Sequence, residues 1–429
     1  MGPICWRRRS AYCRVKTGWT IVLQVHVFTS AAANYLPKVK VLFDSLAEHH
    51  PEWSRHLLLV EDWPESQCDA LGLDAEIVQP RDLDIPNWRQ WSFCHDLVEL
   101  CTATKPFMLK RLLKREDCDA VLYFDPDILL FSRLDDLLSP FAEASILLTP
   151  HQVDPESQIE AIISQEITSL RHGIYNLGFI GVKSDQEGDR FVDWWGTRLY
   201  HFCRDDIANG LFTDQRWIDL VPAFFDRVRI LRSTRFNVAS WNMTTRAVSQ
   251  DADGNVLVDG ERLGFYHFTG LDSGNHDLQA VKFQNQTGVM ELLLSDYLAA
   301  VACCENGLEN SEWSFARFND GSRITARWRQ WYRDIPEARL RSADPWSDPL
   351  YFQCLPEKTL ARLNGNLSFY FDHRQELSLR ALGRFLRAFV RSPTRARNLL
   401  AAGWRIWKSE GGKGLARRLR HLLQDPDRT

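Results

Sequence analysis

Apolar residues along the first half of this chain alternate between two spacings. "IVLQVHVF" at 21–28 is a continuous β-branched run, read as a first buried strand, and "TSAAANY" after it reads as a loop. In "LPKVKVLFDSLAEHH" the residues Leu36, Val39, Leu42, Phe43 and Leu46 fall on one helical face. "HLLLVED" reads as the next strand. Past a loop at Ile85-Pro86, "WSFCHDLVELCTATKPFMLKRLLKRE" reads as helix, with Pro106 at a break or first turn. The run "AVLYF" completes a β-α-β-α-β series, which predicts a mostly parallel sheet flanked by helices.

Further on, "ASILLTP" predicts a strand, "PESQIEAIISQEITSLR" a helix and "IYNLGFIGV" another strand. "DRFVDWWGTRLYHFC" predicts a helix packing Phe191, Trp194, Trp195 and Leu199 on one side. Asp253-Gly254 and Asp259-Gly260 are turn signals that divide 250–270 into hairpin-like strands, the last ending at "FYHFTG". "DADGN" is turn chemistry: a calcium loop would place its Gly later and close on a Glu. After residue 271 the alternation stops. "FNDG" predicts a turn before a basic aromatic helix, and three amphipathic segments follow, the first carrying Leu382, Phe385, Leu386, Phe389 and Val390. The domain reading is therefore a basic leader (1–19), a catalytic domain (20–270), an extension on the acceptor side (271–373) and a basic amphipathic tail (374–429).

Composition adds three constraints. With 45% hydrophobic and 25% charged residues over 429 positions, the chain has a globular composition and no window for a membrane span. Ten cysteines without CxxC spacing read as small buried hydrophobes of a reducing compartment, the cytoplasm, and not as zinc ligands or disulfides. Residues 374–429 hold fourteen Lys/Arg against four Asp/Glu, so the overall charge of −4 leaves −14 for the remainder. An acidic body argues against nucleic acid as a partner, while the tail suits an anionic surface such as the inner face of a membrane.

The chemistry starts at "AVLYFDPDILLF". Asp-any-Asp also occurs at Asp82/Asp84, Asp117/Asp119, Asp251/Asp253 and Asp425/Asp427, so the pattern alone means little. Only Asp125 and Asp127 follow a strand buried on both faces, and Pro126 between them ends that strand by withholding an N–H. Ligands of open α/β sheets bind outside the carboxyl ends of strands. Two carboxylates there suit Mg²⁺ or Mn²⁺ on phosphate oxygens; solvated aspartates in a strand-end turn are the other reading.

Taken in order, Tyr35, Lys105, "LYFDPDILLFSRLDDL", "YNLGFIGV", "GLFTDQRWIDLVPAFF", "FNVASWN" and "HFTG" resemble the nucleotide-sugar glycosyltransferases of GT-A fold. Within these the chain is similar to the glycogenin and galactinol-synthase type, and more closely to bacterial glycosyltransferases found among surface-polysaccharide enzymes. The likeness spans roughly residues 20–332. It implies a mixed, mostly parallel sheet, a nucleoside-diphosphate-sugar donor, a glycan or lipid-linked acceptor, and retaining transfer. Asp125, Asp127 and His267 would hold the Mn²⁺ or Mg²⁺ on the donor diphosphate. Tyr35 would stack on the base, Lys105 would reach the sugar or diphosphate, and Asn176 would face sugar hydroxyls with Gly178 allowing close approach. Thr29 and Gly270 join the donor side, and Asp214 with Gln215 would line the reaction centre. Taken by itself, Asp214 also suits a helix N-cap before "QRWIDLV".

One departure bears on the diphosphate. Where the glycogenin type continues from its histidine to Lys-Pro-Trp, this chain reads "HFTGLDSGNH". Either Lys282 or Arg323 supplies the charge, or the donor is held differently. Two other readings compete: a sugar nucleotidyltransferase, disfavoured because "TSAAANY" has neither Gly nor Arg, and a noncatalytic sugar- or nucleotide-binding scaffold of a polysaccharide assembly complex.

Overall fold

A computed structural model describes residues 23–271, 287–305, 307–308 and 310–355. The basic leader, Lys282 and the tail 374–429 lie outside them. The fold is α/β, built on a seven-stranded sheet. Its strands are β1 (Val25–Ala31), β2 (Ser54–Leu59), β3 (Glu76–Val78), β4 (Ala120–Phe124), β6 (Ile146–Pro150), β7 (Tyr175–Lys183) and β10 (Val228–Ile230). Away from it, β5 (Ile128–Leu130) pairs with β14 (Phe265–His267), and β8 (Asp205–Asp206) with β9 (Leu211–Phe212). The strands β11 (Val248–Gln250), β12 (Val256–Val258) and β13 (Glu261–Arg262) form a small antiparallel sheet.

The sheet order is β10-β6-β7-β4-β1-β2-β3, and every strand is parallel to the rest except β7, antiparallel to both neighbours. This is the mixed, mostly parallel sheet that the alternating pattern predicts. The helix Leu36–His49 buries the expected face, Leu36, Val39, Leu42, Phe43 and Leu46, against Val27, Leu57, Leu122 and Phe124. Its Val41 turns the other way, into a second cluster with Tyr266, Phe268, Leu293 and Tyr297.

Several boundaries differ from the sequence reading. β1 starts and ends later than expected, because pairing with β2 continues to Ala31 opposite Leu59. Thr29 is thus a fully buried strand residue and not part of a loop. The long helix expected over 91–116 is three: Trp88–Phe93, Leu97–Ala103 and Lys105–Leu113, the last with Pro106 in its first turn as anticipated. The helix expected after β6 spans Ile159 to His172 but contains a π turn at Ile162–Glu166. β3 and β5 had no sequence signal long enough to read. "DADGN" is a turn, with Asp251 Oδ1 accepting from the N–H groups of Asp253 and Asn255.

Of the cysteines described, all unpaired, Cys68, Cys94, Cys118 and Cys203 are buried as expected, whereas Cys303 and Cys354 are exposed. No helix among the described residues is long and apolar enough to cross a membrane. By internal contacts the described residues divide into two units, one of those up to Trp88 and from Leu97 to Ala316, the other of Arg89–Asp96 and those from Arg317 on. In the second, Phe93 is the hub of an aromatic cluster with Phe318, Tyr332, Trp346 and Phe352, and the buried Arg329 donates to the Phe93 carbonyl at 3.1 Å. The Asn-Asp-Gly turn at Gly321 and the helix Ala326–Asp334, capped by Thr325, follow the sequence expectation.

Candidate functional site

The acidic pair occupies a turn. β4 stops at Phe124, where Pro126 would leave the ladder without a donor, and the Ile128 N–H closes back on the Asp125 carbonyl at 3.1 Å. That turn sends the chain into β5, which pairs antiparallel with β14 so that His267 stands opposite Ile128. Two distant segments meet in this way. His267 Nε2 lies 3.0 Å from Asp127 Oδ1 and 3.6 Å from Asp125 Oδ2. One ligand atom from each of the three residues fits within 4.8 Å of the others.

Asp127 and His267 are buried, while the Asp125 side chain keeps 28% of its surface exposed, so the cluster opens toward solvent on the Asp125 side. Two carboxylates and an imidazole are a suitable donor set for Mn²⁺ or Mg²⁺ with positions left over. The backbone is shaped for it: a Cβ on Gly178 would stand 2.4 Å from His267 Cε1. Burial alone would push the Asp127 carboxyl up and the His267 imidazole down, yet each outweighs that for the other, leaving Asp127 below and His267 above its ordinary value. Lys38, in the first turn of the helix Leu36–His49, also pulls Asp127 down.

Behind the acidic turn lies a buried cation. Lys105 Nζ sits 2.9 Å from Asp214 Oδ2, 3.5 Å from Asp125 Oδ1 and 4.1 Å from the centroid of the Tyr123 ring. Burial disfavours the charged ammonium, but the two carboxylates reverse this and raise Lys105 above its usual value. Asp214 is raised as well, because burial and the nearby Asp125 outweigh the pull of Lys105. Thr213 before it holds φ at 41°, a left-handed conformation that costs a β-branched residue energy, and its hydroxyl donates to Asp214 Oδ1 at 3.1 Å. Asp214 precedes the helix Gln215–Ile218 but its side chain caps nothing there, so the N-cap reading is not realised.

The other expected residues are distributed as follows. Gln215 is buried, its Oε1 accepting from the Leu177 N–H at 3.0 Å and its Nε2 donating to the His172 carbonyl at 3.1 Å. It ties down the backbone of β7. Asn176 Oδ1 accepts from the Gly178 N–H at 3.2 Å and faces His267 Nδ1 at 3.2 Å. Tyr35 ends a 3-10 turn after β1, half-buried, with Lys38 Nζ 4.1 Å from its ring centroid. Thr29 Oγ1 is buried without a hydrogen-bond partner. Gly270 has φ 79°, a turn conformation that suits glycine. Arg323, one candidate for the missing cation, belongs to the second unit.

Sequence reading missed four neighbours of the cluster. Tyr123, fully buried, donates its hydroxyl to Asp125 Oδ1. His151, just past β6, pairs with Asn176, and Trp241 stands edge-on to His267 with ring centroids 5.3 Å apart. Lys38 lies one helical turn past Tyr35. The signal that singled out Asp125, a polar side chain just past a buried strand, also marks His151. Glu61, at the end of β2, accepts from the Ala33 N–H and holds the turn that carries Tyr35.

No protein family description matches the chain. It is 26% identical over 256 residues to the uncharacterised protein YfnD of Bacillus subtilis strain 168, covering 59% of this chain and 76% of that one. To the uncharacterised YfnF of the same organism it is 29% identical over 178 residues, 41% of this chain and 57% of YfnF. The chain thus spans little more than half the length of that second relative. Among solved structures it is similar to the galactosyltransferase LgtC in complex with donor and acceptor sugar analogues. There the identity is 16% and the TM-score 0.37, over 62% of this chain and 98% of that one. Mouse xyloside xylosyltransferase 1 is similar at 13% identity and TM-score 0.34, over 58% of this chain and 98% of that one.

Proposed function

We propose that the chain is a GT-A-type, hexosyltransferase-like enzyme that moves a sugar from a nucleoside-diphosphate donor to a glycan or lipid-linked acceptor in surface-polysaccharide synthesis. The observation that carries this reading is the meeting of Asp125, Asp127 and His267 at the carboxyl end of β4, directly beside the buried Lys105–Asp214 pair. A binding scaffold has no need for both.

Asp125, Asp127 and His267 would hold Mn²⁺ or Mg²⁺, whose Lewis acidity would offset the negative charge that grows on a departing diphosphate. Lys105, fixed between two carboxylates, adds positive potential that needs no rearrangement as that charge develops. Asp214 would stabilise the oxocarbenium-like sugar. With its Oδ2 held by the Lys105 ammonium at 2.9 Å, Asp214 is placed to offset positive charge on the sugar, which suits the retaining course; inverting transfer would require it as general base. Tyr35 would stack on the donor base, with Lys38 beside it supplying charge toward the phosphates. Thr29 and Gly270 would complete the donor side. The domain division given by the sequence, with acceptor contacts beyond residue 271, belongs to this proposal, as does a cytoplasmic location with the basic tail at the inner membrane face.

The test is a donor screen: full-length protein with Mn²⁺ and a panel of nucleoside-diphosphate sugars, reading released nucleotide, with Asp127→Ala alongside. Release from one donor, lost in the variant, is the expected result. No binding or release from any donor, with and without lipid-linked acceptors, would favour the scaffold. For the tail, the full chain should co-sediment with anionic liposomes and a chain lacking 374–429 should not; no sedimentation of the full chain would remove the membrane contact.

A further inference from the structure

One backbone N–H determines where the protons sit on two histidines. Because the Gly178 N–H donates to Asn176 Oδ1 at 3.2 Å, that end of the amide is the oxygen. The same oxygen is 3.2 Å from His267 Nδ1, and only a protonated nitrogen can face an acceptor, so Nδ1 carries the hydrogen. His267 Nε2, 3.0 Å from Asp127 Oδ1 and 3.6 Å from Asp125 Oδ2, also faces acceptors and holds toward them a hydrogen that a bound cation would replace. At the other end of the amide, Asn176 Nδ2 donates to His151 Nε2 at 3.3 Å. That nitrogen must be bare. The His151 proton therefore resides on Nδ1, which donates to the Ile174 carbonyl at 3.2 Å.

We propose that His151 is a positioning residue of the cation site: acting through Asn176, it holds His267 with Nδ1 protonated and Nε2 aimed between Asp125 and Asp127. This rests on the metal reading of those three residues given above. Without an acceptor at His151 Nε2, the buried Asn176 Nδ2 would lose its partner. Rotation of the amide would then become competitive and bring an N–H toward His267 Nδ1. That arrangement demands a bare Nδ1 and leaves the proton on Nε2 as the ring's only one, so a cation binding there would have to create an imidazolate instead of a neutral imidazole. His151 is itself firmly held. Its N–H donates to the Ile174 carbonyl at 3.0 Å, and its own carbonyl accepts from Asn242 Nδ2 at 3.0 Å. The Trp241 ring lies edge-on to both histidines, at 5.6 Å from His151 and 5.3 Å from His267.

The experiment uses the full chain and two readouts. Mn²⁺ affinity is measured by EPR titration, and the protonation of the His267 ring nitrogens by ¹⁵N NMR without metal, for wild type, His151→Ala, His151→Gln and Asn176→Ala, each checked for folding by circular dichroism. The expected result is a protonated Nδ1 in wild type. His151→Ala should weaken Mn²⁺ binding about tenfold, the scale of losing a partner that orients a metal-bound imidazole. Asn176→Ala should do at least as much, and His151→Gln, whose amide oxygen can accept from Asn176, should recover most of the affinity. A folded His151→Ala protein with wild-type Mn²⁺ affinity overturns the proposal. Should wild type bind no Mn²⁺, the metal reading falls and the NMR still decides the positioning. A bare His267 Nδ1 in wild type, or a ring unchanged in His151→Ala, overturns it; loss of Nδ1 protonation in His151→Ala supports it.

Discussion

Gly178 and His267 are in contact at a distance that no side chain on residue 178 could tolerate: a Cβ there would come within 2.4 Å of His267 Cε1 and 2.6 Å of Nδ1. Glycine at this point of β7 is therefore required by the neighbouring ring. Gly178→Ala should push the imidazole out of line with Asp125 and Asp127. Overpacking of this kind destabilises by about 1–3 kcal/mol. Urea unfolding should register that loss, and Mn²⁺ affinity in the folded protein should fall at least about tenfold. A variant that binds Mn²⁺ as wild type does would show that His267 is not a ligand.

Metal binding should also stabilise the fold. A cation that binds only the native state adds about 2.7 kcal/mol when present at 100 times its Kd. Differential scanning fluorimetry should show a Tm that rises with Mn²⁺ and returns with chelator. In Asp127→Ala, which removes the carboxylate 3.0 Å from His267, the rise should vanish. An equal rise in both proteins would place Mn²⁺ elsewhere.

Much of this site could be read from the chain because its signals are local. The buried run Ala120–Phe124 and the proline that stops it locate Asp125 and Asp127, and the spacing from Leu36 to Leu46 gives the helix behind Tyr35. What stayed hidden depends on distant partners. β5 is three residues long and acquires its role only by pairing with β14, the step that brings His267 to the aspartates. Lys105 can be singled out by position, but its ion pair with Asp214 needs the fold. The break after Phe93 carries no Gly or Pro; it follows from Phe93 packing into the aromatic cluster of the second unit, where tertiary contacts override helix propensity.

Stability should depend on His56, far from the proposed chemistry. Burial, with His26 and Arg115 adding to it, lowers His56 to about 3, against a usual 6.5. Asp117 pulls the other way, and Glu76 Oε2 lies 3.1 Å from His56 Nδ1, but both carboxylates are exposed and solvent screens them. Between pH 6.5 and 3 the unfolded chain thus binds a proton that the native chain refuses. The contribution is whole above pH 6.5 and is lost as pH falls. From pH 7 to 5 that is about 2 kcal/mol. Urea unfolding of wild type and His56→Gln at both pH values should give a drop larger in wild type by this amount; parallel drops would mean that His56 titrates normally.

The Lys105–Asp214 pair allows stability and chemistry to be separated. Both groups are buried, at 2.9 Å, and each is neutralised by the other. Removing one partner strands a charge in the interior, which costs about 3–5 kcal/mol, whereas replacing both with apolar residues of similar size is often neutral. Lys105→Met should be the more damaging single change, because it abandons Asp214 and leaves Asp125 without its ammonium neighbour at 3.5 Å. Lys105→Met/Asp214→Leu should regain most of the lost stability in urea. Donor turnover should not follow. If Lys105 supplies positive potential to a departing diphosphate, its loss should slow turnover by about 100-fold or more, whatever stands at 214. A double variant that recovers turnover along with stability would reduce the pair to a structural element, and Asp125, Asp127 and His267 would then have to account for the chemistry without it.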